Sequence, residues 1–166
     1  MLIPQAMLDR LNQQIAIEFH AAHNYLAMAC RFEQIGLKML AKWFFQQGHE
    51  EREHGMKLLH YVLEVGGEVK LAAVDAPCGD MSSPISIVQT ALEQEREVTR
   101  GIHEMAAAAE EQKDYSTRSF LNWFIDEQVE EVSTMSDLLQ LVRMAGDNNM
   151  LQVEARVAMM LRSSGS

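Results

Sequence analysis

The sequence predicts an all-α fold: an up-down-down-up four-helix bundle with one long crossover and a short fifth helix at its C-terminal end. Three observations point to it. Pro4, Pro77 and Pro84 are the only prolines in 166 residues, so nearly the whole chain is free to hydrogen-bond as helix. Twelve methionines and abundant Ala, Leu, Glu, Gln and Lys are strong helix formers. The alternating and β-branched runs that mark strands are missing.

The first helix opens near Pro4, where a missing N–H costs little, and runs to about Glu33. Leu8, Leu11, Ile15, Phe19, Ala22 and Leu26 give it an apolar stripe at helical spacing. Gly36 breaks it. A second helix, from about Leu37 to Val65, carries Leu40, Phe44, Leu58, Leu59 and Val62, and Gly66-Gly67 ends it. Residues 67–83 show no helical stripe; extended at about 3.3 Å per residue, they are long enough to cross the full length of a bundle. Ser83-Pro84 starts a third helix as cap and first position. It runs to about Gln112, and Lys113-Asp114 turn the chain. Asp114 or Ser116 caps the fourth, which continues through Leu121, Phe124, Ile125, Met135, Leu138 and Val142 to Ala145. Gly146 stops it, and Asp147 or Asn148 caps a short helix reaching Leu161. Four helices of close to thirty residues are each about 40–45 Å long, far above the usual length, as a bundle requires. The expected organisation is one domain over residues 1–166, with the bundle at about 5–145 and the fifth helix at about 148–161. That last helix is more apolar than a free tail needs, so it either caps the bundle end or packs against other subunits.

Acidic residues outnumber basic ones by 24 to 14, a formal net charge of −10. This argues against nucleic acid or an anionic membrane as partner. No run of 18 apolar residues and no basic-then-apolar leader is present, so neither a span nor a secretory signal is expected. Cys30 and Cys78 make no disulfide framework, and the expected home is a reducing cytoplasm. They read as a buried small hydrophobe and a loop thiol.

Chemistry shows itself where glutamates occupy apolar faces. Glu18 shares a face with Leu11, Ile15, Ala22 and Tyr25; Glu95 shares one with Val88, Ala91, Leu92, Val98 and Ile102. A buried carboxylate without a positive partner is costly. The second helix adds Glu51 and His54, three apart on the inward stripe, and the fourth adds Gln128 and Glu131 at the same spacing, which lets two side chains close on one metal. The pairs Glu18/Glu95, Glu51/Gln128, His54/Glu131 and Glu50/Glu127 are all 77 residues apart. Two halves with polar core residues in one register are what a dinuclear carboxylate site requires. Oxygen-rich ligation with a single imidazole suits iron or manganese better than structural zinc or copper. Four carboxylates, Glu18, Glu51, Glu95 and Glu131, balance two divalent cations, and metal-free protein should hold some of them protonated. Glu50, Glu127 and Glu130 point about 100° away from their neighbours in the cluster. They form either a solvated acidic face or a further cation site and exit route. His20, His23 and His103 fall off the ligand face and read as surface or interface residues.

Taken together, these segments resemble the prokaryotic non-haem ferritins over essentially the whole chain. The matching stretches are Asn12-Gln13-Gln14-Ile15-Ala16-Ile17-Glu18 with Tyr25, Gly48-His49-Glu50-Glu51-Arg52-Glu53-His54, Glu93-Gln94-Glu95, Gln112-Lys113-Asp114-Tyr115, and Phe120-Leu121-Asn122-Trp123-Phe124 leading to Glu127-Gln128-Val129-Glu130-Glu131. The resemblance implies a ferroxidase centre. Glu18, Glu51 and His54 would hold one iron and Glu51, Glu95 and Glu131 the other, with Glu51 bridging and Gln128 near the bound oxygen species. It further implies a third iron site at Glu50, Glu127 and Glu130, a tyrosine beside the centre at Tyr25, and homo-oligomeric shells of 24 subunits with 432 symmetry. Ferrous iron would be oxidised by dioxygen or hydrogen peroxide and stored as ferric oxyhydroxide, and the fifth helix would lie around the fourfold axes. Tyr25 either fills the core with its hydroxyl satisfied, or assists a ligand or the oxidation. Haem-binding relatives place a methionine immediately after the first Glu of Glu-x-x-His. Arg52 stands there, so no haem is expected. Those relatives also repeat Glu-x-x-His in the fourth helix; here that helix offers Glu127/Glu130 or Gln128/Glu131, and the 77-residue register selects the second pair.

Rival functions remain. A diiron peroxidase or oxygenase on the same bundle would not mineralise iron. A DNA-protecting miniature ferritin places its metal between subunits and would not need the internal Glu-x-x-His. A purely structural oligomer would have to bury four carboxylates without metal.

Overall fold

A computed structural model describes residues 2–165; Met1 and Ser166, the ends of the expected domain, lie outside the described residues. Five α-helices form, α1 (Gln5–Gln34), α2 (Lys38–Glu64), α3 (Pro84–Glu111), α4 (Tyr115–Ala145) and α5 (Met150–Ser163), with no strand among the described residues. Ser83 caps α3 by accepting from Ser86 N at 3.1 Å, ahead of Pro84. Asp114 caps α4 by accepting from Thr117 N at 3.1 Å. Helices α1, α2 and α3 end alike: the amide two residues past the last turn returns to a carbonyl five residues back, as in Leu37 N to Phe32 O, Gly67 N to Val62 O and Asp114 N to Ala109 O. This closure needs a left-handed residue. Gly36 and Gly66 supply it at φ 87° and 77°, and Lys113 adopts φ 56° in α3's turn.

Inter-helix contacts set the topology. Tyr25 meets Glu95 while Gln14 faces Gly101, so α1 and α3 are antiparallel. His54 faces Glu127 and Tyr61 bonds Thr117, so α2 and α4 are antiparallel as well. The two hairpins therefore join in up-down-down-up order. The crossover runs alongside α1. Asn12 accepts from Lys70 N at 2.7 Å and donates to Glu68 O at 3.0 Å. Asn24 accepts from Cys78 N at 3.1 Å, and Arg31 Nε donates to Met81 O at 3.3 Å. Small residues on α2 bring α1 close: a Cβ on Gly55 would lie 2.6 Å from the Phe19 ring.

The apolar core is divided. One cluster, around Phe32, Phe44, Ile87 and Met135, fills one end of the bundle and takes in Val153 and Val157 of α5. Another, around Leu11, Leu58, Ile102 and Leu121, fills the other end. Between them lies a polar layer. Helix α5 packs on the bundle end and also caps it: Glu154 accepts from Met39 N at 2.6 Å and Leu40 N at 3.2 Å, satisfying the open end of α2, where Leu37 offers no side-chain cap.

Three expectations need correction. Cys30 is exposed rather than buried, because it sits one helical step, about 100°, round from the buried Ala29. Leu26, assigned by spacing to the inward stripe, is 44% exposed, and its neighbours Tyr25 and Met28 take the buried positions. Neither Asp147 nor Asn148 caps α5. A 3-10 turn, Asp147–Asn149, leads into it without a side-chain cap.

Candidate metal centre

The polar layer is built by four helices, each contributing one or two side chains from its inward stripe. Residues in the 77-residue register share their degree of burial. Glu18 and Glu95 are each 0% exposed, Glu51 and Gln128 are 0% and 2%, and His54 and Glu131 are 5% and 7%. Glu50 and Glu127 are both half-buried, while Glu130 is exposed.

Glu18, Glu51 and His54 bring one potential ligand atom each to within 4.8 Å of one another. Gln14 Nε2 donates to Glu18 Oε1 at 2.9 Å. Glu18 Oε2 and both oxygens of Glu51 receive no hydrogen bond, and His54 Nδ1, 3.3 Å from Glu51 Oε2, is also unsatisfied. Burial drives the carboxyls of Glu18 and Glu51 above the usual carboxylate range. Glu51 is raised well above it, helped by the charges of Glu95 and Glu18. Buried acceptors with no donor are what a cation would satisfy.

His54 also faces a second group. Its Nε2 lies 3.9 Å from Glu127 Oε1, and His54, Glu127 and Glu131 can converge on one ion. Burial, then the charges of Glu95, Glu50 and Glu127, raise Glu131 to about 9. The imidazole is fixed by edge contacts with Trp123 and Phe124, centroids 5.4 Å and 6.1 Å away. Lys57 Nζ stands 4.4 Å over the Trp123 ring.

Glu95 is fully partnered. Tyr25 Oη donates to its Oε1 at 2.5 Å, and Gln128 Nε2 donates to its Oε2 at 3.2 Å. Thr99 steadies this corner: its hydroxyl donates to Glu95 O at 2.8 Å and accepts from Gln128 at 3.1 Å. Burial and the surrounding carboxylates push the Tyr25 phenol well up, so it remains a proton donor. Glu50 is held by Gln46 and Gln47, each donating at 3.3 Å. Glu95 lies outside both groups of converging ligand atoms. Glu130 joins neither.

Sequence reading missed Gln14 and Thr99, each bonded across one helical turn to a cluster residue. Spacing was the available signal: Gln14 precedes Glu18 by four and Thr99 follows Glu95 by four, the separation at which helical side chains meet. Trp123 beside His54 had no such signal. His20 is half-buried, with its ring 3.4 Å from Ala76 O under the crossover, and His23 and His103 are exposed.

A four-helix bundle interrupted at mid-height by buried carboxylates and one imidazole defines a bundle protein equipped to take up metal ions. Residues 8–145 match the model of the ferritin-like domain. The chain is 40% identical over 151 residues to the bacterial non-heme ferritin of Staphylococcus aureus, an alignment covering 90% of this chain and 91% of that one. It is 36% identical over 156 residues to ferritin BfrB of Mycolicibacterium smegmatis, covering 94% and 86%. The open-pore ferritin of the archaeon Archaeoglobus fulgidus superposes with a TM-score of 0.90 at 38% identity, over 93% of this chain and 97% of that one. The chain belongs to the ferritin family.

Proposed function

We propose that the protein oxidises ferrous iron and stores the ferric product inside a hollow homo-oligomer. The observation that carries this is the set of buried, donor-less oxygens on Glu18 and Glu51 facing the His54 imidazole. Membership of the ferritin family supplies the iron.

In this reading iron is the substrate, and it supplies the electrons that reduce dioxygen or hydrogen peroxide. Glu18, Glu51 and His54 hold one ferrous ion; Glu51, Glu95 and Glu131 hold a second, with Glu51 shared. Arriving cations displace the protons that burial keeps on Glu18, Glu51 and Glu131. Tyr25 and Gln128 orient Glu95 through its two oxygens, and Thr99 orients Gln128. The apolar clusters above and below keep water away, which strengthens every charge interaction in the layer. On α4, Glu131 is buried, Glu127 half-buried and Glu130 exposed. Glu50, Glu127 and Glu130 form a third cation site and a way out toward the store. The assembly is a shell of 24 copies with 432 symmetry, working in a reducing cytoplasm, consistent with two free, exposed cysteines. No helix among the described residues is long and apolar enough to cross a membrane.

The deciding experiment adds excess ferrous salt aerobically to metal-free protein and measures retained iron together with particle mass. Storage predicts far more iron than the ligand sites can hold, in a particle of about 450 kDa, the mass of twenty-four 18.8 kDa chains. Retention of only about two or three ions per chain, with the excess precipitating, would remove storage and leave a diiron redox enzyme.

A further inference from the structure

The four helices pack as two hairpins, α1 with α2 and α3 with α4, which leaves two seams through which the polar layer can be reached. The α2/α4 seam carries Glu50, Glu127 and Glu130. The α1/α3 seam lies beneath the crossover and opens into a groove of about 660 Å³. Of its most buried lining residues, Ala21 and Val98 lie three residues from Glu18 and Glu95, and Asn24 adjoins Tyr25. Two hydrogen bonds bar the way inward in succession. Asn24 Nδ2 donates to Gln94 Oε1 at 2.8 Å at the groove wall, and one residue further along each helix Tyr25 donates to Glu95. The Gln94 amide nitrogen is buried and makes no hydrogen bond among the described residues, where the Asn24 contact alone holds that side chain across the seam. The groove presents Glu93, Glu97 and Asp75 against the single cation Arg100.

We infer that the α1/α3 groove is the entry route for the hydrated divalent cation, with Asn24–Gln94 as its gate, so that substrate enters by one seam and product leaves by the other. The inference rests on the metal-centre reading above. An excess of negative charge in a concave groove concentrates cations and speeds their arrival. Swinging the Gln94 side chain aside breaks one neutral hydrogen bond, a small cost, and leaves the Tyr25–Glu95 bond as the last barrier before the layer. Gln94 is thus a positioning residue and Glu93 and Glu97 are steering residues; none of them is a ligand.

Anaerobic stopped-flow uptake of cobalt(II) by the assembled, metal-free protein tests this, read by the cobalt visible absorption. One variant is E93Q/E97Q, which neutralises two exposed side chains. The other is C30S, whose remaining thiol, Cys78 in the groove wall, is then coupled to a bulky maleimide. We expect unlabelled C30S to fill at the wild-type rate. Both the labelled protein and E93Q/E97Q should fill about tenfold more slowly, and E93Q/E97Q should also lose much of the salt dependence. Cobalt bound at equilibrium should be unchanged in all. Wild-type filling rates in both the labelled protein and E93Q/E97Q would overturn the route while leaving the centre standing. Wild-type protein that takes up no cobalt, or uptake that survives Glu51→Ala undiminished, would remove the centre itself and the route with it.

Discussion

Glu51 and Glu18 lie in the same buried pocket with three oxygens that no donor reaches. Without a cation the pair is tolerable only with at least one carboxyl protonated, since two adjacent buried carboxylates cannot both ionise cheaply. The two states of the site therefore make opposite demands on one residue. Glu18→Ala removes a charge that metal-free protein accommodates poorly and, in the proposed centre, a ligand of the first iron. We expect the metal-free variant to melt no lower than wild type by more than the small cavity costs. The rise in Tm on adding ferrous or cobalt ions should shrink, and initial iron oxidation should slow by at least about tenfold, the scale seen when groups around a bound metal are lost. Oxidation at the wild-type rate with two ferrous ions per chain would remove Glu18 from the ligand set.

Among the elements, α5 is attached in an unusual way. Its Val153 and Val157 are buried against α2 and α4, and its Glu154 carboxylate stands at the N-terminus of α2 and accepts from two backbone amides. Helix starts leave such amides open, and a negative group there also meets the positive end of the helix dipole. The contact joins residues more than a hundred positions apart, so it couples the placement of the C-terminal helix to the start of α2. Glu154→Ala should cost about 1 kcal/mol, the usual worth of a helix cap, and should speed amide hydrogen exchange at Met39 and Leu40 ahead of the rest of α2. Unchanged protection at those two amides would show that water or another group replaces the carboxylate without loss.

For the whole molecule, the buried acids tie stability to pH. Glu131 is raised from 4.5 to about 9, and Glu18 and Glu51 move the same way. Between those limits the metal-free folded chain holds protons that the unfolded chain has already released. Folding is then favoured at the acid end of the window, and stability falls as pH rises toward about 9. In the proposed centre divalent cations would take the place of those protons, so loaded protein should lack the decline. Melting curves across this range should slope downward without metal and run nearly level with it, with Glu131→Gln flattening the metal-free slope. Equal slopes in the two forms would mean that the centre does not hold the protons assigned to it.

Helix starts and stops at Ser83-Pro84, Gly36, Gly66 and Gly146 were readable from sequence, because caps and left-handed closures are local chemistry. The burial pattern of Glu18, Glu51, His54 and Glu95 was readable for a related reason: a 3.6-residue period assigns each side chain to a face without knowledge of the neighbours. The period is too coarse to separate positions near the edge of a stripe. Leu26 and Cys30 fell on the wrong side of that edge, since the contact line between two helices is set by the partner's surface. Rotamers and inter-helix register are likewise decided only when all four helices pack. That packing turns His54 toward Glu127 as well as Glu51, occupies both oxygens of Glu95 with Tyr25 and Gln128, and brings Glu154 to α2. Sequence by itself determined that Glu18, Glu51, His54, Glu95, Gln128 and Glu131 turn inward. Tertiary structure decided which atoms face one another across it, because that depends on contacts between residues far apart in the chain.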